Sequence, residues 1–129
     1  MASHFQAGRL VIVSLRAEDV PTAVHFYRDV IGLRLLPHHD HRPAFDLGNG
    51  TYLAIVRGQP APEQEAGESA FPVVTFAVED LDEAVAHLQA HDVELPWGVV
   101  QRGRQRWVLF RDPAGNLVEF VQSDGPLAG

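Results

Sequence analysis

The sequence contains no cysteine, which excludes disulfide bonds and thiol chemistry. No apolar run approaches the roughly 20 residues of a membrane span, and the N-terminal residues MASHFQAGRL lack the long apolar core of a signal peptide. Basic residues are few, and the formal net charge of -7 argues against nucleic acid or an anionic membrane as a partner. We therefore expect a soluble, cytoplasmic protein.

Several familiar catalytic motifs are missing as well. The chain has no nucleophile elbow, no glycine loop of the kind that binds phosphate and no Ser/His/Asp pattern. What remains is an ordinary globular composition, with 46% apolar and 21% charged residues in a chain of 129. This length suits a single domain spanning residues 1–129, which can bury roughly two-thirds of its unfolded surface.

Residues 110–122, FRDPAGNLVEFVQ, predict a strand, a tight turn and a second strand. Pro113 favours the turn and Gly115 can adopt a positive φ. Pairing across the turn sets Leu109 opposite Glu119 on one face of the hairpin. The side chains on the other face of the hairpin are all apolar. That face consists of Val108, Phe110, Val118 and Phe120. A charge in the middle of an apolar strand is costly unless it is paired, ligated or hydrated, so Glu119 is the first candidate functional residue.

The first half of the chain predicts a strand, a helix and further strands. Residues 10–15 form a β-branched run, and Asp19 caps a helix that ends near Gly32. Residues 33–41 predict a strand broken by Pro37, and the Asn-Gly pair at 49–50 predicts a hairpin.

The same pattern begins again after a polar linker at residues 57–70. Laying the second half on the first at a constant offset matches Val13 with Val74 and Asp19 with Asp80. Each half is therefore a βαβββ module, and neither could bury its apolar face alone. Module one spans residues 8–56 and module two spans residues 71–123.

Two segments resemble the vicinal oxygen chelate superfamily, which includes glyoxalase I, extradiol dioxygenases and bleomycin-resistance proteins. They are EDVPTAVHFYRDVIGL at residues 18–33 and FRDPAGNLVEFVQ at residues 110–122. The resemblance implies an α+β fold in which the two modules form a cupped, mixed eight-stranded sheet with helices on the convex face. It also implies that the cup is the binding site and that the protein is a homodimer, in which a second chain could complete the cup.

The metal-binding members of this superfamily place His, Glu or Gln ligands on the first and fourth strands of each module. The resemblance carries these positions over to Ile12, Ala54, Val73 and Glu119. Only Glu119 can bind a metal, whereas a zinc site needs about four ligands. Shifting any of the three apolar strands by two residues recovers no ligand, so we expect no metal and no other cofactor.

The histidines at 38, 39 and 41 offer another route to a metal. His39 and His41 would lie on one side of a strand, a spacing that could chelate an ion. Short matches of this kind are weak, and a polar strand end is the favoured interpretation. The role of His38, His39 and His41 stays open, and no catalytic residue is assigned.

Strand alternation predicts which residues line the cup. Any one aromatic among them could instead belong to the core, and Glu119 could pair with Arg16 rather than with a cation or hydrogen-bond donor of a ligand. The predicted ligand-binding residues are Ile12, Ser14, Phe45, Tyr52, Ala54, Val73, Thr75, Trp97, Trp107, Leu109 and Glu119.

The sequence favours a metal-free protein that binds a small molecule, an antibiotic or a metabolite, in an aromatic cup. The alternative is a metal-dependent lyase, isomerase or dioxygenase of the same superfamily that recruits His39, His41 or a residue of another chain. A third hypothesis is a metal-independent enzyme with Glu119 as its general base. Whether the protein is an enzyme stays open at this point.

Overall fold

Two βαβββ modules follow one another in the computed structural model, which describes residues 5–37, 42–60 and 72–124. The first module contains β1 (Ile12–Ala17), α1 (Val20–His25), β2 (Arg34–Leu35), β3 (Ala44–Gly48) and β4 (Thr51–Arg57). The second contains β5 (Val74–Ala77), α2 (Leu81–Ala90), β6 (Val99–Arg102), β7 (Gln105–Arg111) and β8 (Leu117–Ser123). Within the described ranges, no helix is long and apolar enough to cross a membrane.

Aspartates cap both helices, as the sequence predicts. Asp19 accepts a hydrogen bond from the Thr22 amide at 3.2 Å, and Asp80 accepts one from the Glu83 amide at 3.1 Å. Each bond satisfies a first-turn amide that has no partner within the helix. The equivalence of these two caps supports the repeat from which the modules were inferred.

The backbone beyond α1 widens into a π-helical turn at Phe26–Val30. The Ile31 amide donates to the carbonyl oxygen of Phe26 at 3.0 Å, a hydrogen bond that spans five residues instead of four. This turn was not predicted, because apolar spacing alone does not distinguish it from an α-helix. It buries Phe26, Tyr27 and Val30.

The eight strands form two mixed sheets of four, in the orders β1-β4-β3-β2 and β5-β8-β7-β6. In each sheet the module's first and last strands pair in parallel at one end, and the remaining pairs are antiparallel. No hydrogen-bonded pairing joins the two sheets in the part of the chain that the structure describes. β1 and β5 are therefore edge strands of their respective sheets.

One hydrophobic core serves both modules. α1 packs on β4, and α2 packs on β7 and β8, so the helices cover the same face of both sheets. Phe26 of the first module packs against Phe110 of the second, with ring centroids 6.5 Å apart. The apolar face predicted for the β7–β8 hairpin is confirmed as core: Val108, Phe110, Val118 and Phe120 are all buried. The predicted register is confirmed too, with Leu109 opposite Glu119.

Candidate functional site

The candidate site is the face of the two sheets opposite the helices, which we call the cup face. Strand alternation places Ile12, Ser14, Tyr52 and Ala54 on it in the first sheet, and Thr75, Trp107, Leu109 and Glu119 in the second. Val73, which immediately precedes β5, shares the parity of Thr75. The two halves correspond, because Ser14 pairs with Ala54 as Thr75 pairs with Glu119.

Glu119 is half-buried in β8, with Thr75 of β5 on one side and Leu109 of β7 on the other. The Thr75 hydroxyl donates a hydrogen bond to the Glu119 Oε1 atom at 3.1 Å. Pairing with Arg16, considered from the sequence, is not observed. The Arg16 carbonyl oxygen instead accepts from Asn116 Nδ2 at 2.9 Å. The carboxylate therefore has a neutral hydroxyl as its partner.

The side chains at the four family ligand positions do not fit a metal ion. Ile12, Ala54 and Val73 carry no donor atom, which leaves the carboxylate of Glu119 alone. Ala54 is also fully buried. Across the described ranges, no group of three His, Asp or Glu side chains is arranged to hold a metal. A site with one protein ligand falls short of the coordination that zinc, calcium or magnesium sites use.

The histidine route to a metal finds no support in the described residues. His38, His39 and His41 lie outside them. His25 pairs with Asp29 at 2.7 Å on the first helical segment. His87 Nε2 donates to the Val30 carbonyl oxygen at 2.7 Å, and the His87 and His91 rings contact each other with centroids 4.5 Å apart and planes tilted by 51°. Of these histidines, His87 joins the helical segments of the two modules, and all three lie outside the cup face.

Aromatic side chains border the cup face in both sheets. Tyr52 and Trp107 are half-buried on strands whose opposite sides form the core. Trp97 lies in the loop before β6, with its ring centroid 5.8 Å from the guanidinium carbon of Arg111. Arg111 shares the parity of Trp107 and Leu109, so Trp97 stands beside the end of the cup face.

The face predicted for Phe45 is wrong. Phe45 is fully buried in the core, where its ring lies 6.1 Å from that of Tyr27. A regular hairpin around the Asn-Gly turn would set Phe45 opposite Ala54, but a register shift between Asp46 and Gly48 sets it opposite Leu53. A bulge of this kind moves every residue beyond it to the other face. Leu47 also packs against the core.

Asp112 lies in the turn predicted within residues 110–122, and its tertiary role was not predicted. It is buried, and its side chain accepts hydrogen bonds from the Ala114 and Asn116 amides at 3.0 and 2.8 Å. The Tyr27 hydroxyl of the other module donates to it at 2.6 Å. Burial and the Asp112 carboxylate together raise the pKa of the Tyr27 phenol far above its ordinary value. No pattern in the sequence indicates that a tyrosine in the helical turn after α1 contacts an aspartate in the last turn of the chain.

A separate cleft of about 300 Å³ lies at the turn end of the second sheet. Phe26, Arg111, Asp112 and the loop after α2 line it, and none of the predicted ligand-binding residues does. Its walls mix acidic, basic and apolar groups, with Asp112 already bonded to Tyr27. We therefore take the cup face as the candidate site.

Residues 9–120 match the sequence model of the Glyoxalase/Bleomycin resistance protein/Dioxygenase superfamily, and the chain belongs to this superfamily. It is 30% identical to the "Uncharacterized protein YaeR" of Escherichia coli, over 85% of this chain and 92% of that protein. It is 25% identical to a "Probable lactoylglutathione lyase" of Vibrio parahaemolyticus, over 95% of this chain and 96% of that one.

Solved structures share the fold. TnmS3, an antibiotic binding protein from a Streptomyces species, superposes with a TM-score of 0.74 at 23% identity, covering 94% of this chain and all of that one. At this level of identity the likeness establishes the two-module architecture and no more. The family and fold implied by the two sequence segments are thus confirmed.

Proposed function

We propose that this protein is a metal-free small-molecule binding protein whose ligand lies against the cup face. The observation that carries the proposal is which side chains at the four family ligand positions have atoms that can bind a metal. These positions are Ile12, Ala54, Val73 and Glu119. Three of them are apolar, and the fourth, Glu119, already accepts a hydrogen bond from Thr75. Glu119 alone cannot chelate an ion, so a reaction that depends on a chelated ion lacks the ligands it needs in the described part of the cup.

The remaining side chains of the cup face suit binding. Tyr52 and Trp107 offer broad aromatic surfaces, and Ser14 and Thr75 offer hydroxyls that can orient a ligand. Small-molecule sites commonly combine an apolar lining with a few polar groups in this way. We propose an antibiotic or a metabolite as the ligand, the kind of molecule for which TnmS3, which shares the fold, is named.

A second copy of the chain completes the cup in this proposal. β1 and β5 each pair on one side only among the described strands. Leu10 and Val11, which precede β1, and Ile12, its first residue, are 65%, 50% and 46% exposed. An open strand edge with exposed apolar residues favours association with another sheet edge. Sedimentation should show a dimer that Val11→Asp weakens, and a monomeric parent protein would contradict this part of the proposal.

The competing function is a metal-dependent lyase, isomerase or dioxygenase, and the relative named lactoylglutathione lyase favours it. It would have to recruit ligands from outside the described residues, such as His39 and His41, or from another chain. A metal-independent enzyme with Glu119 as general base is a further competitor. It requires turnover whose pH dependence changes with Glu119→Gln.

Metal analysis of untagged protein, after incubation with Zn, Mn, Ni and Fe(II) salts and removal of excess ion, tests the proposal. We expect far less than one ion per chain, with no difference between the parent protein and Glu119→Ala. About one tightly bound ion per chain that is lost in Glu119→Ala would overturn the metal-free function. Metal-stimulated turnover of glyoxalase-type or catechol substrates would do the same.

A further inference from the structure

The charge of Glu119 is not compensated by a cation in the described part of the protein. Among the described residues, Glu119 accepts one hydrogen bond, from the Thr75 hydroxyl to Oε1 at 3.1 Å. None of the ion pairs among the described residues includes Glu119; they join His25 and Arg28 to Asp29, Arg34 to Asp46, and Arg106 to Asp82. A half-buried carboxylate with one neutral partner retains most of its capacity to accept hydrogen bonds.

The arginines of the neighbouring strand, β7, make their contacts away from Glu119. Arg106 lies on the helix-covered side of β7 and bonds to Asp82 of α2 at 2.8 Å. Arg111 shares the cup face, but its Nη1 atom donates to the Gly115 carbonyl oxygen at 3.0 Å and its guanidinium lies over Trp97. Neither therefore neutralises Glu119.

The corresponding position of the first sheet carries no charge. Ala54 stands where Glu119 stands in the second sheet, and Ser14 stands where Thr75 stands. The half-cup of the first sheet thus offers a hydroxyl and the Tyr52 ring, while the half-cup of the second offers an oriented anion beside Leu109 and near Trp107. The formal net charge of -7 adds a field of the same sign as that anion.

We propose that the cup selects ligands in which an apolar or aromatic body carries a protonated amine, or another hydrogen-bond-donating cation. Glu119 binds the cation, and Thr75 is a positioning residue that holds the carboxylate. The inference rests on the proposed binding function and adds the class of ligand. Hydrogen bonds between opposite charges are about twice as strong as neutral ones. Stacking on Tyr52 or Trp107 favours a ligand that has a flat body and carries a positive charge.

Three indole probes that differ mainly in their head group test this assignment. Tryptamine carries an ammonium group, tryptophol a hydroxyl and indole-3-propionate a carboxylate. Each is titrated into the full chain at pH 7 and low salt, and binding is followed through amide NMR shifts of the cup-face residues. We expect tryptamine to bind at least about tenfold more tightly than tryptophol, with indole-3-propionate weakest. Added salt should weaken tryptamine selectively.

Variants assign the preference to individual residues. Glu119→Gln keeps an acceptor for Thr75 but removes the charge, so tryptamine should fall to the affinity of tryptophol. Glu79→Gln makes the same change in net charge at an exposed loop position and should leave the preference intact. Thr75→Val should weaken tryptamine several-fold without changing tryptophol, a difference that a purely structural role would not produce.

The outcomes separate this inference from the function on which it rests. Tryptophol or indole-3-propionate binding as tightly as tryptamine would overturn the ligand class while leaving small-molecule binding in place. A tryptamine preference that survives Glu119→Gln would equally overturn it. If no probe shifts the cup-face residues up to its solubility limit, both the ligand class and the cup as a binding surface are overturned.

Discussion

Asp112 and Glu119 lie on the same β7–β8 hairpin, in very different surroundings. Asp112 is buried in the turn and accepts hydrogen bonds from two backbone amides, from Asn116 Nδ2 and from the Tyr27 hydroxyl. Glu119 is half-buried on the cup face and accepts one from the described residues, from Thr75. A carboxylate surrounded by donors of its own chain has little capacity left for a ligand, whereas one with a single donor has much.

The surroundings of Asp112 explain how the modules are held together. Tyr27 comes from the first module, and Asn116, which Asp112 binds, donates from its own side chain to the Arg16 carbonyl oxygen of β1. The turn thereby connects with both the first helical segment and the first strand of the other module. The hairpin thus carries a structural carboxylate at its turn and a functional candidate in its strand.

The largest effect should follow from Asp112→Ala, which leaves the buried Tyr27 hydroxyl and the turn amides without their acceptor. We expect the free energy of unfolding to fall by about 3–5 kcal/mol. Urea denaturation followed by circular dichroism measures it, with Glu18→Ala as an exposed control. A loss below about 1 kcal/mol would show that the turn does not hold the modules together.

Tyr27→Phe removes a single member of the same network. The phenol ring stays in the core, and only the 2.6 Å bond to Asp112 is lost. The expected loss is about 1.5–3 kcal/mol, the usual range for a hydrogen bond to a charged group. The same urea titration applies, with Tyr52→Phe on the half-buried cup face as the matched control. Equal losses in the two variants would refute the special role given to Tyr27.

Alkaline pH should reveal the raised pKa of Tyr27. The folded protein keeps this phenol protonated, while the unfolded chain releases the proton above its ordinary value of 10.0. The contribution of Tyr27 to the free energy of unfolding is therefore fully present below that pH. As the pH rises above it, this contribution falls by at most about 1.4 kcal/mol per pH unit. The chain has no lysine to titrate in that range. Tyr27→Phe should have a shallower decline between pH 10 and 11, and identical slopes would contradict the assignment.

Glu119→Gln should have the smallest effect on stability. Its side chain is half-buried, and the amide oxygen can still accept from Thr75. We expect the free energy of unfolding to change by less than about 0.5 kcal/mol, in contrast to Asp112→Asn. If Glu119→Gln cost as much as Asp112→Asn in urea denaturation, Glu119 would be a structural residue.

Local patterns in the sequence were enough to predict the β7–β8 hairpin and the two helix caps. The turn residues of 112–116 and the alternation on either side determine the pairing of Leu109 with Glu119. Asp19 and Asp80 are recognisable because capping depends on residues only three positions away. The internal repeat then places Ser14 and Ala54 as the counterparts of Thr75 and Glu119.

The predictions that failed depend on structure beyond the local pattern. The bulge before Gly48 moves Phe45 into the core, and the spacing of apolar residues in the sequence does not predict this bulge. Of the strand predicted for residues 33–41, the described part up to Pro37 forms β2 only at Arg34–Leu35, and residues 38–41 lie outside the described ranges. The contact of Tyr27 with Asp112 joins residues far apart in the chain, which pairing rules within one hairpin cannot reveal. The roles of His38, His39 and His41, which lie outside the described residues, stay predictions.

The most direct test of the central claim observes the Glu119 carboxyl carbon itself. Protein labelled with ¹³C at the glutamate side-chain carboxyl carbon is titrated separately with Zn²⁺ and with tryptamine, and Glu119→Gln identifies the resonance by its loss. We predict that tryptamine shifts this resonance saturably, while an equimolar amount of Zn²⁺ leaves it in place. A shift that saturates at one Zn²⁺ per chain, with no response to tryptamine, would contradict the metal-free, cation-binding cup.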